Sequence, residues 1–190
     1  MKQYPVNLKI DYSEISNKPS AFIRLVLVIP IIIVVALISS YAEALSLAVG
    51  LLILFKEKYP KWWFDWNVDI TKFTYRIVAY GLLTRDEYPS TDDDQAVKVD
   101  IPYPDVEKDL NRWMPLFKWI LVIPHIIVLI FIFIAVVFCT FFAWFAILLT
   151  GRYPKGIFDF EEGFLRWSLR VNAYVFLLTT DQYPPFRLRE

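Results

Sequence analysis

Residues 119–149 read WILVIPHIIVLIFIFIAVVFCTFFAWFAILL, a run of 31 residues without a charged side chain. Residues 25–55 form a second run of the same length, in which Glu43 is the one charge. Both exceed the roughly 18–20 apolar residues that indicate a membrane helix. A soluble protein of 190 residues would have to bury two such helices on all sides. The runs therefore predict an integral membrane protein.

The composition agrees with that class and argues against others. Hydrophobic residues make up 57% of the chain, above the roughly 45–50% of soluble domains. The 20 Lys and Arg balance the 20 Asp and Glu, so charge gives no indication of nucleic-acid binding. Cys139 is the single cysteine, which excludes an intrachain disulfide. The first residues lack the basic, apolar and small-residue regions of a signal peptide.

The two apolar runs end in nearly the same way, with EKYPKWWFDW at 57–66 and GRYPKGIFDF at 151–160. The similarity extends in both directions. VNLKIDY at 6–12 matches VKVDIPY at 97–103, LVIP recurs at 27–30 and 121–124, and DEYP at 86–89 matches DQYP at 181–184. The polar stretch STDDDQ at 90–95 separates the halves. We predict a tandem duplication, with repeat 1 at residues 1–92 and repeat 2 at 93–190.

Each repeat contains the same three segments in order. Residues 6–12 and 97–103 alternate apolar and polar side chains, which predicts a short strand with one buried face. The apolar run follows, and then a helix of about 20 residues whose apolar stripe and interrupting charges are typical of an interfacial amphipathic helix. Its other side also carries apolar residues such as Leu165 and Leu169. We therefore expect the strands to cover that side.

Two alternatives exist for each apolar run. One straight helix of 31 residues would be about 46 Å long, too long for a hydrocarbon core of about 30 Å without strong tilt or a kink. A membrane hairpin would place every Lys and Arg on one side, which by the positive-inside rule is the cytoplasm. We favour the hairpin, with Pro30 and Pro124 kinking its first helix. The prediction is an all-α multi-pass protein of the inner (cytoplasmic) membrane with a small β element and both termini cytoplasmic.

Basic residues at i, i+4 spacing occupy equivalent places in the two helices that follow the runs: Lys72 and Arg76, and Arg166 and Arg170. Like charges at this spacing repel, so a neutralising group is expected. It could be an anionic lipid or a partner protein at the cytoplasmic surface. It could instead be a local acid, for which the candidates are Asp65, Asp69, Asp159 and Glu162.

The Tyr-Pro and Phe-Asp elements have a structural interpretation in both repeats. Proline ends a helix, tyrosine suits the headgroup level, and aspartate could cap the next helix. The residues concerned are Tyr59, Pro60, Asp65, Tyr153, Pro154 and Asp159.

Reaction chemistry is not indicated by the sequence. His125 is the one histidine, and we expect it to be neutral and bonded to a backbone carbonyl or a facing helix. One His and one Cys are too few for a metal site, and no phosphate-binding or nucleophile motif is present. We expect no cofactor, no metal and no catalytic residues, and an enzyme is the less favoured class.

The stretch FDFEEGFLRWSLRVNAYVFLLTTDQYPPF at 158–186, with FAILLTGRYPKGIF before it and the Arg24 approach to Val28-Ile29-Pro30, resembles the prokaryotic membrane family labelled domain of unknown function 4389. The first repeat is a looser version of the second. The resemblance implies a prokaryotic integral membrane protein and no particular activity. Our leading hypothesis is a non-catalytic membrane subunit or scaffold that docks partner proteins or anionic lipid at the cytoplasmic face. The alternative is a lipid-binding, lipid-transferring or lipid-modifying membrane protein.

Overall fold

The computed structural model describes residues 4–189, without the side chains of residues 25 and 39–43. Helices dominate, and the same order of elements occurs in both halves. The elements are β1 (Asn7–Ile10), α1 (Lys18–Lys56), α2 (Lys61–Gly81), β2 (Val97–Asp100), α3 (Val106–Asp109), α4 (Met114–Leu121), α5 (Ile123–Thr150) and α6 (Lys155–Val175). The prediction of a mostly helical chain with a small β element is confirmed.

The membrane hairpin predicted for the second apolar run is wrong. Residues 123–150 form one helix of 28 residues, in which a hairpin would require a turn. In the first run, α1 is helical over 39 residues and bends by 49° between residues 18–24 and 26–38. Pro30 explains this bend, because its ring displaces the carbonyl four residues earlier. Pro124 lies in the first turn of α5, just after the break that separates it from α4. A single kinked helix, the alternative to the hairpin, therefore describes both runs.

The amphipathic helices α2 and α6 pack beneath the apolar helices. Ile77 and Tyr80 of α2 contact Val28 and Ile31 of α1 in a small buried cluster. On α6, the stripe that we predicted to face lipid is instead covered by α4 and α5, with Trp167 and Tyr174 4% and 0% exposed. The apolar stripes of α2 and α6 face protein because α1 and α5 are long enough to lie along them.

The strands cover the opposite side of the amphipathic helices, as predicted. Leu8 and Ile10 pack in the main core with Leu165 and Leu169 of α6. The strands pair antiparallel with Leu8 opposite Val99. These two residues are equivalent in the repeats, so the pseudo-two-fold axis passes between them. The two strands are also exchanged between the repeats. β1 of repeat 1 packs on α6 of repeat 2, and β2 of repeat 2 packs on α2 of repeat 1. The protein thus has an apolar helix layer, an amphipathic helix layer and a strand layer.

Candidate functional site

The basic pair of repeat 1 lies on the surface of α2. Lys72 Nζ is 3.3 Å from Asp69 Oδ1, and both side chains are exposed. Arg76 Nη1 donates to the Ser90 carbonyl at 2.6 Å and so fastens the linker between the repeats. A local acid therefore neutralises Lys72, and an additional anion could still reach its exposed ammonium group.

The basic pair of repeat 2 is buried, with Arg166 8% and Arg170 3% exposed. Arg166 pairs with Glu162 at 3.1 Å and donates to the Leu8 carbonyl at 3.0 Å. Arg170 donates to the carbonyls of Arg187 and Arg189 in the C-terminal tail. These contacts tie β1 and the tail to α6. Burial is what separates the two basic pairs, and their equal spacing in the sequence does not reveal it.

The Tyr-Pro turns join the two repeats. Tyr12 Oη donates to the Tyr153 carbonyl at 2.7 Å, and Tyr103 Oη donates in the same way to the Tyr59 carbonyl. Tyr59 and Tyr153 are 3% and 2% exposed, so their rings lie in the core and not at a headgroup level. The residues that follow each strand of one repeat therefore fasten the turn of the other.

The capping role expected for the two aspartates is wrong. Pro60 and Pro154 occupy the N-cap positions of α2 and α6. Asp65 and Asp159 lie more than a turn further on and pair with Lys61 and Lys155. Helices that begin directly after proline leave these carboxylates too far along to reach the first amides.

An open cleft of 730 Å³ adjoins the Tyr59 turn on the polar side of the molecule. Its walls are Glu57, Lys58, Tyr59, Pro60 and residues 103–107, which include Asp105 and Glu107. Beside the equivalent turn at Tyr153, the cavity measures only 60 Å³. Clefts that bind ligands commonly measure about 300–1,000 Å³. The larger cleft is therefore a candidate binding site, with acidic groups on its rim.

Two buried cations, each paired with a more accessible acid, flank the apolar layer, and the sequence reasoning missed them. Arg24 is 0% exposed and pairs with Asp86 at 2.5 Å. Lys118, its equivalent in repeat 2, pairs with Asp181 at 2.8 Å. Burial alone would raise the pKa of Asp86, but hydrogen bonds from Asn17, Arg24 and Ser16 lower it. Both cationic side chains point inward, with Arg24 0% and Lys118 1% exposed.

Tyrosine rings and the following loops complete these two pairs. Arg24 lies over the Tyr80 ring at 4.9 Å, and Lys118 lies over the Tyr174 ring at 5.0 Å. The loops that carry the aspartates begin at Leu83 and Leu178, both of which have a positive φ. The signal in the sequence was the recurrence of DEYP and DQYP at equivalent places.

A buried acid, Glu161 of α6, is 0% exposed and makes no ion pair within the described part of the chain. Tyr153 Oη donates to its Oε2 at 2.6 Å, and Thr140 Oγ1 lies 2.8 Å from Oε1. Burial raises the pKa of Glu161 to about 7, although both hydrogen bonds act to lower it. The equivalent residue in repeat 1 is Asn67, which cannot titrate. Comparison of the two repeats at this position could have revealed the site from sequence.

His125 is fully buried beneath aromatic rings. Its Nδ1 accepts a hydrogen bond from Trp167 Nε1 at 3.1 Å, which confirms the expected bond to a facing helix. Phe186 stacks on the imidazole ring at 3.9 Å. Within the described part of the chain, no group of three or more metal-ligating side chains occurs.

An apolar cavity of 160 Å³ opens between α1 and α4, and therefore between the repeats. Its lining consists of Ser46, Leu47, Gly50, Leu51, Leu54, Pro115, Leu116, Trp119 and Leu178. Ser46 is the one polar residue in this lining, and its hydroxyl donates to the Phe176 carbonyl at 2.6 Å. The wall consequently offers a ligand hydrophobic contact and no free polar group.

Together, these features define a helical protein of two similar halves with an uncovered apolar layer. The chain belongs to the family described as Domain of unknown function (DUF4389), which matches residues 18–91 and again residues 112–187. The internal repeat is thereby confirmed, and both matches leave out the two strands. No curated protein and no solved structure matches the chain. One helix, α5, is long and apolar enough to span a membrane, and a second span is counted if the bent part of α1 is included.

Proposed function

We propose that this protein is a non-catalytic membrane subunit or scaffold. Its α1 and α5 layer is embedded in lipid, and its polar layers dock partner proteins or anionic lipid at the cytoplasmic face. The observation that carries the proposal is the surface of α5. Only 11% of its most apolar stretch of 18 residues is buried. The core helix of a soluble protein is mostly covered, and soluble monomers rarely expose apolar patches of this size.

The packing favours an α5 that is strongly tilted within one side of the membrane over an α5 that crosses the bilayer perpendicularly. On α6, Glu161 contacts Thr140 of α5 and Phe164 lies 6.0 Å from Phe133, so α6 returns along α5. The strands beyond α6 expose Lys9 and Lys98. A perpendicular crossing would carry this polar side into hydrocarbon at high cost. With α1 and α5 oblique, both termini stay on the cytoplasmic side. A multi-pass chain is the competing topology.

Docking is the role that the polar side favours. The 730 Å³ cleft lies between the Tyr59 turn of repeat 1 and the β2–α3 segment of repeat 2. Of the three acids that line it, Glu57 pairs with Arg112 and Asp105 pairs with Lys108. A partner segment with basic and aromatic side chains would complement the remaining acid, Glu107, and the tyrosine rings. The cleft gives the scaffold a specific place for such a contact.

Membrane extraction tests the attachment. An embedded apolar face should resist washing with carbonate or high salt and yield only to detergent. Phe138 is 61% exposed on α5, and Phe138→Glu should release a large fraction of the protein. Lys98→Glu introduces an acid in the exposed strand layer and should leave attachment unchanged. A wild-type protein that salt removes completely would contradict the proposal.

Cysteine labelling tests the topology. After Cys139→Ala, a cysteine placed at residue 135 should stay unlabelled from outside the cell if α5 lies obliquely. Labelling at this position would favour the multi-pass topology.

A second candidate function is lipid binding or transfer, which the apolar cavity between the repeats favours. Purification in mild detergent followed by mass spectrometry separates the candidates. A stable complex with other membrane proteins supports the scaffold, whereas a bound lipid that exchanges with vesicles supports lipid transfer.

A further inference from the structure

The apolar layer is filled differently in the two repeats. Gly50 of α1 and Trp144 of α5 are equivalent, since the same number of residues separates each from its Tyr-Pro turn. Trp144 is partly buried against the core, and its indole Nε1 donates to the Ala21 carbonyl at 3.2 Å. Gly50 places no side chain at the corresponding position, and the 160 Å³ cavity lies there. The space exists because repeat 1 has glycine where repeat 2 has tryptophan.

The cavity opens on the uncovered apolar side of the molecule. Leu47 and Leu51 on one wall are 63% and 47% exposed, and Leu116 and Trp119 on the other are 52% and 44% exposed. An empty apolar space loses the dispersion contacts that a filled one gains. An occupant supplied by the surrounding hydrocarbon would restore them.

We propose that the cavity beside Gly50 binds one acyl chain of a membrane phospholipid. A volume of 160 Å³ is far too small for a helix of a partner protein, but it suits a stretch of linear hydrocarbon. The apolar wall fits such a chain, and the exposed residues at its mouth place the opening toward the surrounding hydrocarbon. The proposal rests on the membrane attachment proposed above.

Native mass spectrometry of the full chain, purified from membranes in mild detergent, tests the site by counting retained phospholipids. A Cβ at Gly50 would meet Pro115 and Leu178 at 3.6 Å, an ordinary contact, so Gly50→Trp can fill the cavity as Trp144 does. Displacing even two methylene groups weakens binding roughly tenfold. We expect one retained phospholipid in the wild type, a loss of about tenfold in Gly50→Trp, and little change in Gly50→Ala.

A further variant keeps the test decisive if Gly50→Trp is unstable. Trp144→Gly opens the equivalent space and should allow additional retention of lipid. Equal lipid counts in the wild type and in a folded Gly50→Trp variant would overturn the proposal, as would a protein found in place of the lipid.

Carbonate extraction of the same variants distinguishes a wrong acyl-chain site from a wrong membrane attachment. If the wild type is not retained in membranes, the proposed function itself fails. If both proteins are retained and their lipid counts are equal, only the acyl-chain site is wrong.

Discussion

Repeat 1 and repeat 2 build the same helices and turns, yet three equivalent positions inside them differ in chemistry. The buried cation is Arg24 in repeat 1 and Lys118 in repeat 2. The buried polar group on the amphipathic helix is Asn67 in repeat 1 and Glu161 in repeat 2. The position at the cavity is Gly50 in repeat 1 and Trp144 in repeat 2. The features shared by both repeats fasten one repeat to the other, since each strand covers the helix of its neighbour. The first two differing positions make their ion pairs or hydrogen bonds within one repeat, whereas the Gly50/Trp144 position faces the other repeat. The comparison teaches that the duplication supplies the frame, and that the asymmetry inside it carries candidate function.

The largest expected effect comes from breaking the strand exchange. Ile10 is 3% exposed and packs in the core, so Ile10→Asp buries a charge and should lower the free energy of unfolding by about 4 kcal/mol or more. Ile101→Asp changes the equivalent residue in repeat 2 and should behave alike. The measurement is denaturant unfolding in detergent.

Lys9→Asp is the matched control for the strands. Lys9 is exposed and lies opposite Lys98 in the strand pair, so an acid there relieves a like-charge contact. Equal stability of Ile10→Asp and Lys9→Asp would show that the strands do not form a packed layer.

A smaller effect should separate the two buried cations. Asp86→Asn leaves the Arg24 guanidinium charged and poorly compensated, at a cost of about 3 kcal/mol. Asp181→Asn should cost about 1 kcal/mol less, because the Lys118 ammonium can lose its proton whereas a guanidinium cannot. The loss in Asp181→Asn should shrink as the pH rises, and the loss in Asp86→Asn should not. Identical pH profiles of the two variants, measured by thermal unfolding, would contradict this account.

The buried carboxyl of Glu161 in repeat 2 predicts a pH-dependent contribution to protein stability that repeat 1 lacks. Burial raises the pKa of Glu161 to about 7, above its usual value of 4.5. The folded state therefore binds the proton more tightly, so this contribution to stability is complete below about pH 4.5 and is lost as the pH rises to about 7. Glu161→Gln should remove the dependence and stabilise the protein at pH 8 by about 2–3 kcal/mol. Thermal unfolding of the wild type and of Glu161→Gln at pH 5 and pH 8 measures this difference in stability.

Asn67→Asp is the matched variant in repeat 1 for this test. It places a carboxyl at the equivalent buried position and should introduce a second loss of stability at high pH. A wild-type protein whose stability does not change between pH 5 and pH 8 would rule out the buried, protonated Glu161.

Periodicity and repetition predicted the helices, the strands and the duplication because these depend on local patterns. The hairpin was a wrong prediction because it rested on the length of the apolar run and on the one-sided placement of Lys and Arg, and neither depends on how α5 packs. The sequence could not show that α6 would lie along α5 and cover its inner face. The aspartate caps failed for a similar reason, since proline started each helix earlier than the Phe-Asp element suggested.

The candidate site was harder to predict than the fold. Lys72/Arg76 and Arg166/Arg170 have the same spacing, and only tertiary packing makes the first pair accessible and the second buried. The Arg24–Asp86 pair joins residues far apart in the sequence, so no local motif marks it. Glu161 and Gly50 stand out only when each is placed beside its equivalent in the other repeat.

The smallest expected effect concerns the accessible basic pair of repeat 1. Lys72 is 40% exposed and pairs with Asp69, which is 72% exposed, so Lys72→Gln should change stability by less than about 0.5 kcal/mol. If the cytoplasmic side contacts anionic lipid through this residue, the loss of one cation should weaken binding to anionic vesicles by about fivefold. Binding to neutral vesicles should not change, and the deficit should shrink as salt rises. Lys61→Gln removes another exposed lysine of α2 and serves as the control for overall charge. An equal loss of binding in both variants would assign the effect to net charge, and an equal loss on neutral vesicles would leave Lys72 with only its ion pair to Asp69.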